Sequence, residues 1–262
     1  MREIKYRLCD PTGNITVLVE SQVQKSDRRR IASEIMKNEP TAEQVGFISS
    51  EGQRLDMAGG EFCGNASMSA AALCLMNSGK DVGSVGLSVS GTPESVEVSI
   101  EKTAENDYFC ILKMPSPVKT DTYELTVKGT KKELPCVKMQ GITHIIMGKR
   151  CMTRPEAEKA VVSLASETGE RDCLGLMFFD EKELTLEPLV YVPAADTLFW
   201  ESSCGSGTCA VGAYLAARDG MRVKAKLSEP AGVLEVDASP DGAIFLSGHV
   251  ALGKEKTLLY KA

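Results

Sequence analysis

The chain has 262 residues, 43% hydrophobic and 25% charged, with a formal net charge of −6. That length admits one large domain or two of ordinary size, each with a real core. Arg28-Arg29-Arg30 is the only basic cluster, which argues against a nucleic-acid partner, and no run approaches the roughly 20 apolar residues that span a bilayer.

The opening Met1-Arg2-Glu3-Ile4-Lys5-Tyr6 alternates like a strand and lacks the apolar core of a signal peptide. Strand-like runs at Ile4–Cys9 and Ile15–Glu20 precede a helix with Ser26 as its expected N-cap and Ile31, Ile35 and Met36 on one face. Val45–Ser50 reads as a strand. The phrase Glu61-Phe62-Cys63-Gly64-Asn65-Ala66-Ser67 then leads into a helix over Asn65–Asn77, rich in Ala, Leu and Met and closed by Gly79. Alternating strands follow at Val96–Ile100 and Tyr108–Met114.

Met114-Pro115-Ser116-Pro117 breaks any regular element and marks a boundary. Beyond it the order repeats. Strands near Glu133–Met139 and Thr143–Met147 precede a helix with Pro155 in its first turn, an apolar face of Ala160, Val161, Leu164 and Ala165, and Gly169 as its stop. Strands Leu174–Phe179 and Leu184–Val192 lead to Glu201-Ser202-Ser203-Cys204-Gly205-Ser206-Gly207-Thr208 and a helix over Gly207–Arg218, stopped by Gly220. Arg222–Leu227, Gly232–Val236 and Ala243–Leu246 read as further strands. One large unit used twice implies an α+β pair of pseudo-symmetric halves with a cleft between them.

The nine cysteines are an odd number without framework spacing, which favours free thiols in a reducing cytoplasm. Two of them stand apart. Glycine directly after Cys63 and Cys204 lets the backbone approach a ligand, and the next N–H groups belong to a helix's first turn, where they have no intrahelical acceptor. With the helix dipole they make an anion site suited to an α-carboxylate. The same field is expected to draw the thiol below its free pKa of about 8.5. One thiol on either face of a carbon is what removing and returning a proton requires. No Cys-x-x-Cys exists, and His144 and His249, the only histidines, lack ligand spacing, so no metal is expected and both read as ordinary histidines. No nucleotide loop or pyridoxal signature is recognisable, so no cofactor is expected.

These residues resemble the diaminopimelate epimerase superfamily of cofactor-independent racemases over essentially the whole chain. Gly13-Asn14, Cys63-Gly64-Asn65-Ala66 and Cys204-Gly205-Ser206-Gly207 carry the resemblance. It implies two halves, each a mixed sheet wrapped around a central helix: residues 1–115, with 249–262 returning, carry Cys63, and residues 116–248 carry Cys204. It implies Cys63 and Cys204 as the acid/base pair. Gly64, Asn65, Gly205 and Ser206 would hold the α-carboxylate, Asn14 the amino-acid head and Glu201 the α-ammonium. A homodimer is implied on the same ground. Diaminopimelate epimerases carry an arginine shortly before the second cysteine for the distal carboxylate. Here the segment reads Leu198-Phe199-Trp200-Glu201-Ser202-Ser203 without one, which disfavours that dicarboxylate.

Longer runs are similar to the histidine racemase branch: Pro11–Val19, Glu43–Phe47, Gly60–Ala66 and Trp200–Thr208. The resemblance implies a racemase of histidine. Phe62 or Trp200 would wall the imidazole and Glu43 or Glu61 would partner it. The alternatives are a diaminopimelate-type epimerase, a racemase of another amino acid, and a thiol redox or ligand-binding protein on the same scaffold.

Overall fold

Sixteen strands and four helices form the described part of the computed structural model, residues 1–49, 51–168, 172–193 and 197–261. The fold is mixed α+β and mostly sheet. It divides into one unit of Met1–Met114 with Ser247–Ala262 and a second of Pro115–Leu246. Ser50 and Gly169, expected as a strand end and a helix stop, lie outside the described residues.

The first unit contains β1 (Arg2–Pro11), β2 (Thr16–Val19), β3 (Gln44–Ile48), β4 (Arg54–Met57), β5 (Val82–Val89), β6 (Val96–Ala104) and β7 (Asp107–Met114). Each strand bonds to the next, β7 bonds to the chain's last strand, β16 (Ile244–Tyr260), and β16 pairs antiparallel with β1. Eight strands therefore close into a barrel without a free edge. The pairs β2–β3 and β4–β5 are parallel. Parallel neighbours need a crossover, and α1 (Lys25–Asn38) and α2 (Gly64–Ser78) supply the two.

These two helices have different compositions because they cover different surfaces. Residues Gly64–Leu73 of α2 are buried without interruption, mostly Ala, Ser and Met, and the helix packs against β1, β2, β5, β6 and β7. Small or apolar side chains on every face suit a helix enclosed by strands. In α1 only Ile31, Ala32 and Ile35 are buried, packing with Ile4, Tyr6, Val17, Val19, Val45 and Phe47. Two details differ from expectation. Gln24, not Ser26, is the N-cap, with no side-chain capping bond, because Val23 packs on the core and sets where the chain enters the helix. Met36 lies beside the buried stripe and is exposed.

The second unit contains β8 (Lys119–Val127), β9 (Thr130–Met139), β10 (Ile142–Gly148), β11 (Cys173–Asp180), β12 (Thr185–Val192), β13 (Thr197–Trp200), β14 (Val223–Glu229) and β15 (Gly232–Ala238). Their order is β15-β14-β12-β11-β10-β9-β8, with β13 on β12. The parallel pairs are β10–β11 and β12–β14, and α3 (Arg154–Thr168) and α4 (Gly205–Asp219) lie in those two crossovers. Helix α4 is buried over Gly207–Ala213 and packs against β8, β9, β10, β11, β14 and β15. Helix α3 buries Ala157, Val161, Leu164 and Ala165 against a core that includes Ile145, Leu174 and Leu189. Leu184, expected inside β12, has φ 49 and falls just before it.

Candidate active site

Cys63 and Cys204 occupy the same local geometry in their own units. Each is the N-cap of a helix of 15 residues, with extended backbone (φ −133, ψ 116 for Cys63; φ −129, ψ 99 for Cys204). Each sulfur accepts from the N–H three residues on: Ala66 N at 3.4 Å and Gly207 N at 3.3 Å. Each helix ends in a left-handed glycine, Gly79 or Gly220, with φ 68 and 67. Cysteine here replaces the oxygen that Ser or Asp supplies to a capping bond, so the sulfur is pinned beside the positive helix end. The N–H groups of Gly64 and Asn65, and of Gly205 and Ser206, are left for a ligand by helix geometry.

The two thiols have different surroundings. Cys63 is half-buried, whereas Cys204 is only 4% exposed. Burial, followed by the negative charges of Glu201 and Glu229, pushes the Cys204 thiol well above its ordinary value, and the Ser206 hydroxyl pulls it back. The expected lowering at the helix terminus is thus overturned for Cys204, because desolvation and two carboxylates outweigh the dipole.

Glu229, on β14, belongs to no motif of the sequence. Its carboxylate accepts from the Cys204 backbone N–H at 2.6 Å and from the Thr208 hydroxyl, so it ties the capping residue to the first turn of α4. Burial raises its carboxyl from 4.5 to about 8. The folded protein therefore keeps a proton that the unfolded chain releases between those values, and stability falls as pH rises from about 4.5 to about 8, then levels off. Glu229→Gln keeps an acceptor for Cys204 N–H and offers Thr208 a donor. It should abolish this decline, on the order of a few kcal/mol, in urea melts at pH 5 and pH 8.5. An equal decline in wild type and variant would remove Glu229 as its source.

Asn14 follows the left-handed pair Thr12 and Gly13 and is 5% exposed. Its Nδ2 donates to Glu43 Oε2 at 2.6 Å, and its Oδ1 accepts from Gln44, which also donates to Thr16 Oγ1 at 2.8 Å. The structure thus joins Asn14 to Glu43, two residues with separate expected roles. Asn65 is 3% exposed, and its Oδ1 has no hydrogen-bond partner among the described residues; the same holds for Ser203 Oγ beside Cys204. Phe62 is half-buried and Glu61 exposed, with its backbone carbonyl accepting from Ser90 Oγ at 2.7 Å. Trp200 is engaged elsewhere: it stacks on Phe178 at 5.5 Å, lies under the Arg154 guanidinium at 4.5 Å, and donates to Glu158 at 2.8 Å.

His144, an ordinary histidine by its sequence context, is fully buried. Its Nε2 lies 2.9 Å from Ser206 Oγ, which is 3.6 Å from Cys204 Sγ. His249 is exposed and paired with Asp107 at 2.8 Å. All nine cysteines are free thiols. Among the described residues, no group of His, Cys, Asp and Glu could hold a metal ion, and no helix is long and apolar enough to cross a membrane.

Residues 3–252 match the family model described as the histidine racemase CntK N-terminal domain. The chain is 32% identical over 254 residues to a histidine racemase of Fusobacterium nucleatum subsp. nucleatum, covering 94% of this chain and 93% of the relative. In fold it is similar to a predicted epimerase from Pseudomonas aeruginosa (TM-score 0.71, 14% identity, 98% of this chain and 100% of that one). It is likewise similar to a hydroxyproline epimerase from Agrobacterium vitis with bound trans-4-hydroxy-L-proline (TM-score 0.66, 13% identity, 98% and 91%).

Proposed function

The chain belongs to the histidine racemase family, and from that premise we propose that it interconverts L- and D-histidine with Cys63 and Cys204 as its two acid/base groups. The observation that carries the reading is the matched capping geometry: two sulfurs, each fixed at a helix N-terminus and followed by glycine. One thiolate removes the α-proton, and the other group, as thiol, returns a proton to the opposite face; their roles exchange with the enantiomer. The two crossover pairs, strand–α1–strand with strand–α2–strand and strand–α3–strand with strand–α4–strand, support reading the units as pseudo-symmetric halves. On this reading the halves, residues 1–115 with 249–262 and residues 116–248, hold the substrate in a cleft between them, and closure excludes water from the carbanionic intermediate.

The first-turn N–H groups at Gly64, Asn65, Gly205 and Ser206 hold the α-carboxylate and stabilise the charge that develops as the proton leaves. The unpartnered Asn65 Oδ1 is an acceptor and so suits a donor on the ligand, such as its α-ammonium. Glu201, whose charge acts on Cys204, meets the α-ammonium, and its negative charge is offset when substrate binds. Asn14 meets the amino-acid head, and Glu43, bonded to Asn14, takes the imidazole N–H. Since Trp200 is engaged by Phe178 and Arg154, the apolar wall falls to Phe62. No cofactor takes part, and the nine free thiols suit a reducing compartment such as the cytoplasm. The family resemblance adds a homodimer, which light scattering reads directly.

Purified protein in reducing buffer should convert L-histidine to D-histidine, and the reverse, on a chiral column, with lysine, proline and diaminopimelate turned over far more slowly. Glu43→Gln should raise the KM for histidine about tenfold or more while racemisation persists. Equal rates across the panel would contradict the histidine assignment, and an unchanged preference in Glu43→Gln would remove Glu43 from the imidazole role.

A further inference from the structure

We propose that His144 is a positioning residue for Cys204: its Nε2–H fixes the Ser206 hydroxyl as a hydrogen-bond donor to the sulfur and so favours the thiolate. The inference rests on the two-thiol reading for its catalytic meaning, while the geometry stands by itself.

His144 is the third residue of β10, in register with Gly175 of the parallel neighbour β11. The imidazole sits where a β-carbon on residue 175 would be, 2.3 Å from Nδ1 and 3.0 Å from Cε1, so glycine opposite it is what makes room for the ring. The ring's Nε2 reaches Ser206 Oγ, and its Nδ1 is buried with no partner among the described residues. Burial lowers the ring's pKa to about 3, so it is neutral near neutral pH and carries one N–H.

The place of that proton decides the chemistry. On Nδ1 it would be a buried donor without an acceptor, the rarer and costlier kind of orphan. On Nε2 it donates to Ser206 Oγ and leaves only a bare lone pair facing Gly175. A hydroxyl whose lone pair is taken in this way turns its own hydrogen to its other neighbour, Cys204 Sγ. Donation to a sulfur anion stabilises the anion more than the neutral thiol.

Besides the Gly207 N–H, which donates to it, the titratable groups acting on this sulfur are Glu201, Glu229 and, through Ser206, His144; the first two oppose ionisation and the third promotes it. Cys63 lacks the device, because Asn65 stands where Ser206 does relative to the cysteine. The two thiols are therefore set by different means within matched backbone geometry.

Two measurements decide the matter. The chain has two histidines, so 15N shifts of the ring nitrogens in wild type assign the His144 tautomer directly, and Nε2–H is expected; Nδ1–H would overturn the proposal without any variant. The second is the pH midpoint for iodoacetamide alkylation of Cys204, read peptide by peptide in reduced protein. His144→Phe should raise it by about one pH unit and leave the Cys63 midpoint in place. His144→Gln, which restores an N–H donor, should return it towards wild type, and Ser206→Ala should raise it as His144→Phe does. An unmoved Cys204 midpoint in folded His144→Phe would overturn the proposal. If His144→Phe fails to fold, the tautomer and the Ser206→Ala midpoint decide between the same two outcomes. Both readouts are independent of turnover, so a wild type that does not racemise histidine would count against the proposed function alone.

Discussion

Cys63→Ser and Cys204→Ser each lower the kcat for racemisation about a thousandfold or more, and the double variant is little worse than either single one. A positioned acid or base contributes roughly 10²–10⁴-fold, and at neutral pH a serine hydroxyl is a far weaker base than a thiolate. Inversion needs both groups in one turnover, so removing the second from an already disabled pair costs little, which is the non-additivity of residues that act as a unit. The substitution is close to isosteric and retains an atom that can accept the capping bonds from Ala66 and Gly207. Fold loss is thus a minor concern, checked by circular dichroism and thermal melting. Wild-type rates in either variant, or strict additivity in the double, would remove the two-thiol mechanism. A ligand binder would instead keep its affinity in Cys63→Ser.

Gly91→Ala is expected to be among the most damaging single changes in the first unit, although residue 91 touches no substrate. Gly91 has φ +78, and a β-carbon there would lie 2.0 Å from Phe62 N, 2.5 Å from Glu61 C and 2.8 Å from Phe62 Cα. All three contacts are backbone and cannot swing aside. The neighbouring Ser90 donates to the Glu61 carbonyl at 2.7 Å and accepts from Met57 N at 2.9 Å, so this turn holds the segment that delivers Cys63. Strain and overlap together should cost about 3–4 kcal/mol, or a fall in Tm of about 10 °C. The displaced thiol should lower kcat by about 10² at temperatures where the variant is still folded. Gly79→Ala is the control: its φ is +68, but nothing lies within 4 Å, so only the left-handed strain, about 1 kcal/mol, is felt. Equal effects of the two substitutions would show that the loop is not held as described.

Much of the site was legible because its chemistry is local. A cysteine-glycine step before a run of small residues, closed by a glycine, defines the start, face and end of α2 and α4 within one stretch of chain. What escaped was non-local or weakly patterned. Strand β5 reads Val-Gly-Ser-Val-Gly-Leu-Ser-Val, poor in strand-forming residues, and is made by its antiparallel neighbour β6 and by its place against α2. Strand β8 is exposed over most of its length and is defined by pairing with β9.

His144 gave no local signal, since its importance comes from β10 lying beside the start of α4. Glu229 did leave a trace. It continues the inward parity of Leu227 on β14, and a carboxylate on the buried face of a strand calls for a specific partner. Trp200 shows the converse, an aromatic residue next to a motif that packs with its own core and bonds to Glu158 of α3.

The measurement that bears most directly on two thiols acting from opposite faces is the fate of the α-hydrogen in deuterated, reducing buffer. L-Histidine is incubated with wild-type protein, the enantiomers are separated early in the reaction, and each is read by NMR. Two separate acid/base groups predict deuterium in the D-histidine formed while the remaining L-histidine keeps its protium, and the mirror result from D-histidine. Deuterium entering recovered substrate as fast as product, or entering no histidine at all, would contradict the assignment of Cys63 and Cys204 as a histidine-racemising pair.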